Sequence, residues 1–405
     1  MTRPPPGSGA DAPDPPGTAP VATTVRALGW TSFLTDFSSE AIYPLLPGFV
    51  KGLGGSGIDI GLVDGFANAV AAVVRLPAGM LSDTFGRRPL VLFGYGLSAV
   101  VRPLMGLIAT PLAAVAVRTA DRFGKGIRSA PRDALVADLV PPAERGRAFG
   151  HIRALDHAGA AVGPLAAMLF LLAFPGEERR LFLLTLLPGL ATLAVIWRFV
   201  HDPPAPARTA RPAPRAQLSR PQAVLLGCVA VWALGAASEQ FLLLRVADLG
   251  LPRPFVPLVW FAMSLAKSGA AARAGRLADG GSPRLVLGAG WLLFAAAYGG
   301  LACTASLPAT VAVVLLVGVA YGVAEPAERA LVAALAPDGR HGGAFGWYAL
   351  VQGLMALPAS LLAGWLWDRG PEGPATAFVL TAALAIMAAG LLAATGRRGG
   401  VTAAG

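Results

Sequence analysis

Charged side chains stand inside long apolar stretches of this sequence, at spacings that place them together on one face of a helix. They include Asp36 with Glu40, four residues apart, and the set Arg118, Asp121, Arg122 and Lys125, at i, i+3, i+4 and i+7. An ionised group at mid-bilayer costs about 2.5–3.5 kcal/mol, so each one implies either a buried pairing or a transport role. The chemistry that they offer is reversible proton binding and contact with a charged or polar solute.

The pair Asp36 and Glu40 is suited to proton uptake. Two carboxylates one helical turn apart repel each other unless one is protonated, and this favours proton binding near neutral pH. A purely structural role stays open for the pair. It also stays open for the Arg118 set, in which Asp121 can neutralise Arg118 or Arg122, since intramembrane charges usually pair.

Ionisable groups occupy three other apolar stretches. They are Asp156 with His157, Glu239 beside Gln240, and the set Glu325, Glu328 and Arg329. Asp156 and His157 lie about nine residues inside their stretch, or roughly 13 Å along a helix. A structural role stays open for both, and His157 is the weaker candidate. Arg75, Arg102 and Lys267 are single charges that we expect to snorkel or to be paired.

The elements that carry these charges are membrane-spanning helices. Only 14% of the 405 residues are charged and 55% are hydrophobic, whereas a soluble chain carries about 25% charged residues. Apolar stretches of about 20 residues, enough to cross the hydrocarbon core, recur along the chain. We place twelve spans at 25–49, 58–81, 89–109, 111–130, 147–173, 180–200, 222–245, 253–275, 284–304, 308–334, 343–366 and 374–395. The predicted fold class is an all-α membrane protein.

Several classes of function are excluded by the composition. The net charge of +10 comes from arginines in short loops, without the basic stripe that nucleic-acid binding requires. Cys228 and Cys303 both lie in apolar runs, which argues against a disulfide framework or a metal cluster. The sequence has no P-loop, nucleophile elbow or metal-ligand spacing. We therefore expect neither an enzyme nor direct ATP coupling, and no cofactor or metal.

The chain is predicted to consist of two bundles of six helices. We expect a disordered tail at 1–24, a first bundle at 25–200, a linker at 201–221, a second bundle at 222–395 and a tail at 396–405. The linker is rich in proline and arginine and has no periodicity, as interdomain linkers often are. Arginines cluster in the linker and on the side of both termini, so the positive-inside rule places both termini in the cytoplasm. We expect a multi-pass protein of the bacterial inner (cell) membrane.

The two bundles repeat at an offset of 196 residues. This shift aligns the segment 79–83 with 275–279, and it aligns 134–150 with 330–346 at ten identities in seventeen positions. Two blocks more than fifty residues apart share the same offset, which indicates an internal duplication. Parallel repeats of this kind are found among secondary transporters.

The segment 79–88, Gly-Met-Leu-Ser-Asp-Thr-Phe-Gly-Arg-Arg, resembles the loop motif of the major facilitator superfamily between helices 2 and 3. It departs from that motif at Thr84, where arginine is usual, and mildly at Ser82. The resemblance implies two six-helix halves that rock about a central site, with Asp83 engaging the opposite half in one conformation. The residues to which it assigns this latch are Gly79, Asp83, Gly86, Arg87, Arg88 and, in the degenerate second copy, Asp279.

Other segments extend the resemblance from about residue 25 to 395. Gly159, Gly163 and Pro164 are similar to the helix 5 motif G-x-x-x-G-P, which is associated with exporters. The segments 33–47 and 121–128 look like a bacterial subgroup of the family described as efflux-type transporters. In the fold of this family, spans 1, 4, 7 and 10 line the central cavity, so the charges of these spans would fall where a solute passes.

The function predicted from the sequence is secondary active transport, as proton-coupled export of a small polar or amphipathic solute by an antiporter. Uptake by a proton symporter of the same fold is the alternative. A non-transporting receptor or scaffold is more remote, because it would not need ionisable groups on the cavity helices. The mixed charges favour a polar or zwitterionic solute and leave an anionic one open, given Arg118, Arg122 and Lys125. The expected partners are this small-molecule substrate, protons and the lipid bilayer, with no nucleic acid, and we expect a monomer.

Overall fold

A computed structural model describes residues 18–141, 144–202, 218–336 and 341–399, within which all regular secondary structure is helical. The helices are α1 Thr18–Ile42, α2 Leu46–Gly52, α3 Gly57–Phe85, α4 Arg87–Val101, α5 Pro111–Leu139, α6 Arg145–Ala173, α7 Glu178–Leu184, α8 Leu186–Phe199, α9 Arg220–Gly235, α10 Gln240–Asp248, α11 Val256–Gly280, α12 Pro283–Cys303, α13 Leu307–Ala334, α14 His341–Trp367 and α15 Gly373–Gly399. Short 3₁₀ turns at Tyr43–Leu45, Arg102–Gly106 and Arg253–Phe255 extend three of the membrane segments.

Ten helical segments in the described residues are both long and apolar enough to cross a membrane. The other two predicted spans are spans 1 and 4. Span 1 is formed by α1, with 25 residues, and α2, with 7 residues, and span 4 is formed by α5, with 29 residues. These are the two spans that carry the charged stripes of the sequence, and their charges lower their hydropathy. The all-α membrane fold is confirmed.

Some predicted boundaries shift in the structure. Helix α1 begins at Thr18, seven residues before the predicted span, and α15 continues to Gly399. The end of the linker forms part of α9, because Ser219 caps this helix by accepting a hydrogen bond from the N–H of Gln222. Residues 1–17, 203–217 and 400–405, which hold the rest of the predicted tails and linker, lie outside the described part of the chain.

Span 7 is interrupted in the middle. Helix α9 ends at Gly235 and α10 starts at Gln240, so residues 236–239 are not helical. The Thr381 hydroxyl donates a 2.8 Å hydrogen bond to the Gly235 carbonyl, which satisfies one backbone group that the break exposes. Non-helical backbone at membrane depth is tolerated only where protein or a polar cavity surrounds it. The break therefore marks a place where a polar site can form.

Glycines set the closest helix contacts. A side chain at Gly159 or Gly163 of α6 would collide with the carbonyls of Phe33 or Phe37 of α1. Small residues four apart let two helices approach in this way. The glycines of the predicted helix 5 motif thus pack spans 1 and 5 together, and Pro164 is buried beside them.

The 196-residue offset recurs in the packing. A Cβ at Gly94 would lie 2.7 Å from Arg128 Cβ, and a Cβ at Gly290 would lie 3.0 Å from Ala324 Cβ. Positions 290 and 324 are 94 and 128 shifted by 196. The same helix crossing is therefore present in both parts of the chain, which we name the N-terminal half (18–202) and the C-terminal half (218–399).

The two ends of the bundle differ in how the halves meet. We call the end at which α3 joins α4 the motif end, and the other the opposite end. Both ion pairs between the halves in the described residues lie at the opposite end, from Lys51 Nζ to Asp248 Oδ1 (2.7 Å) and from Arg253 Nη1 to Glu178 Oε1 (3.2 Å). There, too, the Asp368 carboxylate accepts a 2.7 Å hydrogen bond from the N–H of Gly57. These contacts hold the halves together at the opposite end.

Candidate functional site

A cavity of about 350 Å³ lies between the halves at the level of the span 7 break. Its lining comes from spans 1, 2, 7, 8, 10 and 11. The ionisable and aromatic residues of the lining are Asp64, Glu239, Glu325, Glu328, Lys267, Arg329, Tyr43, Trp232, Tyr321 and Tyr348. Of the residues predicted from the sequence, Glu239, Glu325 and Glu328 therefore line this cavity.

A buried network of charges lies behind the N-terminal wall of the cavity. Arg118 is 1% exposed, and its guanidinium lies 3.5 Å from Asp64 Oδ1 and 3.6 Å from Asp121 Oδ2. Asp121 also pairs with Arg102 at 2.9 Å, and Arg102 donates a hydrogen bond to the Ser38 hydroxyl. The ion pairs of this network join two carboxylates to two guanidiniums. Arg118 and Asp121 are thus paired inside the protein.

Asp64 was not singled out from the sequence. Its carboxylate accepts hydrogen bonds from the hydroxyls of Tyr43 (3.3 Å) and Ser238 (2.8 Å). Ser238 lies in the span 7 break, so Asp64 connects the N-terminal half to the interrupted helix. The signal that could have found it is the one used for the other acids, a carboxylate inside an apolar stretch.

Glu40 connects the halves at a second point. Its carboxylate accepts a 2.9 Å hydrogen bond from the indole N–H of Trp260 on α11. Asp36, one turn away, is partly buried and forms no ion pair in the described residues. Lys125 has an exposed side chain and interacts electrostatically with both carboxylates.

The remaining predicted members of spans 4 and 5 lie apart from the cavity lining. Arg122 is buried and interacts electrostatically with Asp64, Asp121 and Glu40. Asp156 is 8% exposed, and Arg153 donates a 3.3 Å hydrogen bond to it. His157, the weaker candidate of its pair, has an exposed side chain.

The C-terminal wall of the cavity holds three carboxylates and two cations. Glu325 pairs with both cations, Lys267 at 3.4 Å and Arg329 at 2.8 Å. Glu328 is 1% exposed and has the neutral side-chain amide of Gln352 at 3.5 Å. Neither Glu328 nor Glu239 forms an ion pair in the described part of the chain.

The predicted latch residues interact within the N-terminal half. Arg87 pairs with Asp83 of the same loop, and its Nε also donates a 3.1 Å hydrogen bond to Asp138 at the end of span 4. Gly86 has a φ of 93°, in the region that favours glycine. In this conformation Asp83 therefore contacts its own half. Gly79 is a contact point between spans 2 and 4, and the side chain of Asp279 lies outside the described residues.

The latch loop is also tied to the start of the linker. The Asp202 carboxylate accepts a 2.8 Å hydrogen bond from the backbone N–H of Arg88, in the first turn of α4. Arg88 in turn donates a 2.9 Å hydrogen bond to the carbonyl of Trp197. A carboxylate at a helix N-terminus is favoured by the helix dipole. The linker therefore leaves the N-terminal half from a fixed point on this loop.

Comparisons with known sequences point to one protein family. The sequence profile of the Major Facilitator Superfamily matches residues 28–279. The uncharacterized MFS-type transporter MJ1317 of Methanocaldococcus jannaschii is 31% identical over 92% of this chain and 94% of its own. The multidrug resistance protein MdtH of Proteus mirabilis is 30% identical over 38% of this chain and 40% of its own.

Solved structures share the fold at low sequence identity. The inward-facing, unoccupied structure of a bacterial homolog of the human lysosomal transporter Spinster superposes with a TM-score of 0.78 at 16% identity, over 93% of this chain and 97% of that one. A D-xylose–proton symporter superposes with a TM-score of 0.71 at 17% identity, over 92% and 96% of the two chains. Both lie well below the identity at which more than the fold can be compared.

Proposed function

The chain belongs to the Major Facilitator Superfamily of membrane transporters, and we propose that it exports a small polar or amphipathic solute in exchange for protons. The proposal rests on one contact above all, the hydrogen bond from Trp260 to Glu40 between the two halves. Export is supported by the helix 5 glycines and by relatives named for multidrug resistance. Uptake by proton symport is the alternative, since a proton symporter shares the fold.

Glu40 is the carboxylate that best fits a coupling role. An ionised carboxylate accepts a stronger hydrogen bond than a protonated one, so proton binding to Glu40 weakens its link to Trp260. Asp121, by contrast, is already paired with two guanidiniums, those of Arg102 and Arg118. Protonation of Glu40 would therefore loosen one contact between the halves without breaking the buried network.

The proposed transport cycle rocks the halves about the cavity. We assign the motif end to the cytoplasm, because the arginines of the loop at 86–88 lie there and the linker starts from it at Asp202. With the halves joined at the opposite end, this conformation then faces the cytoplasm. The outward-facing state requires that the pairs Lys51–Asp248 and Arg253–Glu178 separate. In that state the motif ends of the halves close, and the Asp83 loop makes its contact with the C-terminal half.

The test is transport by Glu40→Gln in proteoliposomes between about pH 5.5 and 8. Thermal-shift screening of the purified protein against metabolites and antibiotics first identifies a solute that binds, and its transport is then measured. Glutamine keeps the shape and one acceptor oxygen but cannot bind a proton. We expect proton-driven accumulation to be lost while solute binding and downhill exchange are retained. Glu372→Gln, on the exposed loop before α15, is the control and should behave as the wild type.

A pH profile unchanged in both Glu40→Gln and Asp36→Asn would overturn the coupling role of this pair and move it to Asp156. The direction of transport is decided separately, by counterflow in inverted and right-side-out vesicles. Export predicts that inverted vesicles accumulate the solute when a proton gradient is imposed.

A further inference from the structure

The charges of the cavity are not evenly distributed between its two walls. On the N-terminal side, Asp64 belongs to a network that contains as many guanidiniums as carboxylates. On the C-terminal side, three carboxylates face only two cations, and Glu325 takes both of them. With all five groups ionised, this wall carries one negative charge in excess, and Glu239 and Glu328 are the carboxylates that lie outside its ion pairs.

The lining offers further groups that a bound solute could use. The Lys267 ammonium lies 5.1 Å from the centroid of the Tyr321 ring, so a cation–π contact already exists in this wall. Trp232 is 6% exposed and lines the cavity, and its indole N–H has no hydrogen-bond partner in the described residues. An unpaired buried donor is costly, and a ligand that brings an acceptor removes that cost.

We propose that this cavity binds an organic monocation: a solute with one protonated amine or quaternary ammonium group and a hydrogen-bond acceptor. Its positive charge is neutralised by Glu239 and Glu328, and its acceptor is met by Trp232. This inference names the substrate class at the site of the proposed transporter, and it therefore rests on the proposed function. It also replaces the anionic solute suggested by Arg118, Arg122 and Lys125, because none of these three side chains lines the cavity.

The net charge of the C-terminal wall can be changed in both directions. Glu239→Gln removes the excess negative charge, whereas Lys267→Met doubles it and leaves Glu325 paired with Arg329. Affinity for a monocation should therefore rank Lys267→Met above wild type and wild type above Glu239→Gln. We expect a change of about tenfold in Kd at each step, as for a partly screened charge at close range. Glu372→Gln removes a carboxylate outside the cavity and should leave Kd unchanged.

The experiment is isothermal titration of the purified full-length protein with defined probes. The cations are tetramethylammonium, phenyltrimethylammonium and benzylammonium. Benzenesulfonate is the anion of similar size, and benzyl alcohol is the neutral probe. At least one cation should bind the wild type, with the predicted ranking across the variants, and benzenesulfonate should not bind. If Glu239→Gln fails to fold, Lys267→Met alone still tests the sign of the effect.

The inference is overturned if no cation binds, if benzenesulfonate binds as tightly as phenyltrimethylammonium, or if Lys267→Met weakens cation binding. Binding is measured without transport, so the titration can succeed or fail separately from the transport test of the proposed function. Cation binding without any transport in proteoliposomes would overturn the proposed function alone. Proton-driven transport of an anion would overturn the present inference alone.

Discussion

The two halves of this protein build the same helix crossings with different chemistry. Shifted by 196, the buried charges Asp64, Arg102, Arg118 and Asp121 correspond to Trp260, Tyr298, Val314 and Val317. The N-terminal half is held by a network of ion pairs. At the related positions the C-terminal half has aromatic and aliphatic side chains, which pack without charge.

The aromatic packing of the C-terminal half is extensive. Trp232 stacks on Trp291 with ring centroids 6.0 Å apart, and Phe294 lies 5.6 Å from Trp232 and 4.5 Å from Tyr298. Such ring pairs contribute about 0.5–1.5 kcal/mol each beyond the area that they bury. Because aromatic packing holds this half, its ionisable groups are left to face the cavity. In our proposal the buried ion pairs of the N-terminal half are structural, Glu40 of that half binds the proton, and the ionisable groups of the C-terminal half bind the solute.

The largest expected effect is that of Arg118→Leu. This substitution leaves Asp64 buried without its cation, and breaking a buried pair from one side costs about 3–5 kcal/mol. Thermal unfolding in detergent should show a correspondingly large loss of stability. Adding Asp64→Asn should recover much of it, because the uncompensated charge is removed. If the double variant is no more stable than the single one, the network is not the structural core that we describe.

Phe294→Ala is the matching change in the C-terminal half. Removing a buried ring typically costs about 3–5 kcal/mol through lost burial and the cavity left behind, and partial relaxation of the aromatic cluster places our expectation at the lower limit. The loss should not depend on salt between low and high ionic strength, because no charge is involved. If neutralising one nearby charged side chain restored the stability of Phe294→Ala, the C-terminal half would depend on charge and the contrast between the halves would be wrong.

A smaller effect is expected from Glu325→Gln. Glu325 is partly exposed and pairs with two cations at the cavity wall, so its removal should cost under about 1 kcal/mol of stability. Binding of phenyltrimethylammonium should nevertheless weaken, since the wall loses a negative charge. A loss of stability as large as that of Arg118→Leu would show that the C-terminal half also depends on its ion pairs.

The smallest effect on stability is expected for Asp83→Asn in the latch loop. Its partner Arg87 keeps Asp138, so unfolding should change by under about 0.5 kcal/mol. Transport should still fall several-fold, because the aspartate makes a contact in only one conformation. The C-terminal equivalent Asp279 has proline, not arginine, four residues later, at position 283. Asp279→Asn should therefore reduce transport less, and equal losses would argue against unequal latches.

Much of the fold was predictable because it depends on local sequence. Apolar length predicted the spans, whereas the close contact of Gly159 and Gly163 with span 1 was seen only in the structure. The site was less predictable, because its partners come from distant spans. Arg102 was expected to snorkel or to be paired, and the structure shows it 4% exposed and paired with Asp121, a partner that the sequence did not identify. No pattern within span 1 or span 8 indicates that Glu40 and Trp260 will meet.

The hydrogen bond of Asp202 to the latch loop has a mechanical consequence for the tether between the halves. Ser219 is held in place as the cap of α9, and Asp202 is held by its hydrogen bond to the latch loop. The two halves are therefore joined by a chain of 17 residue steps between these two points. At roughly 3.3–3.6 Å for each step, this chain can span at most about 60 Å. The tether therefore sets an upper limit on the separation of Asp202 and Ser219 in every conformation of the transport cycle. Within that limit it keeps the halves at a high effective concentration.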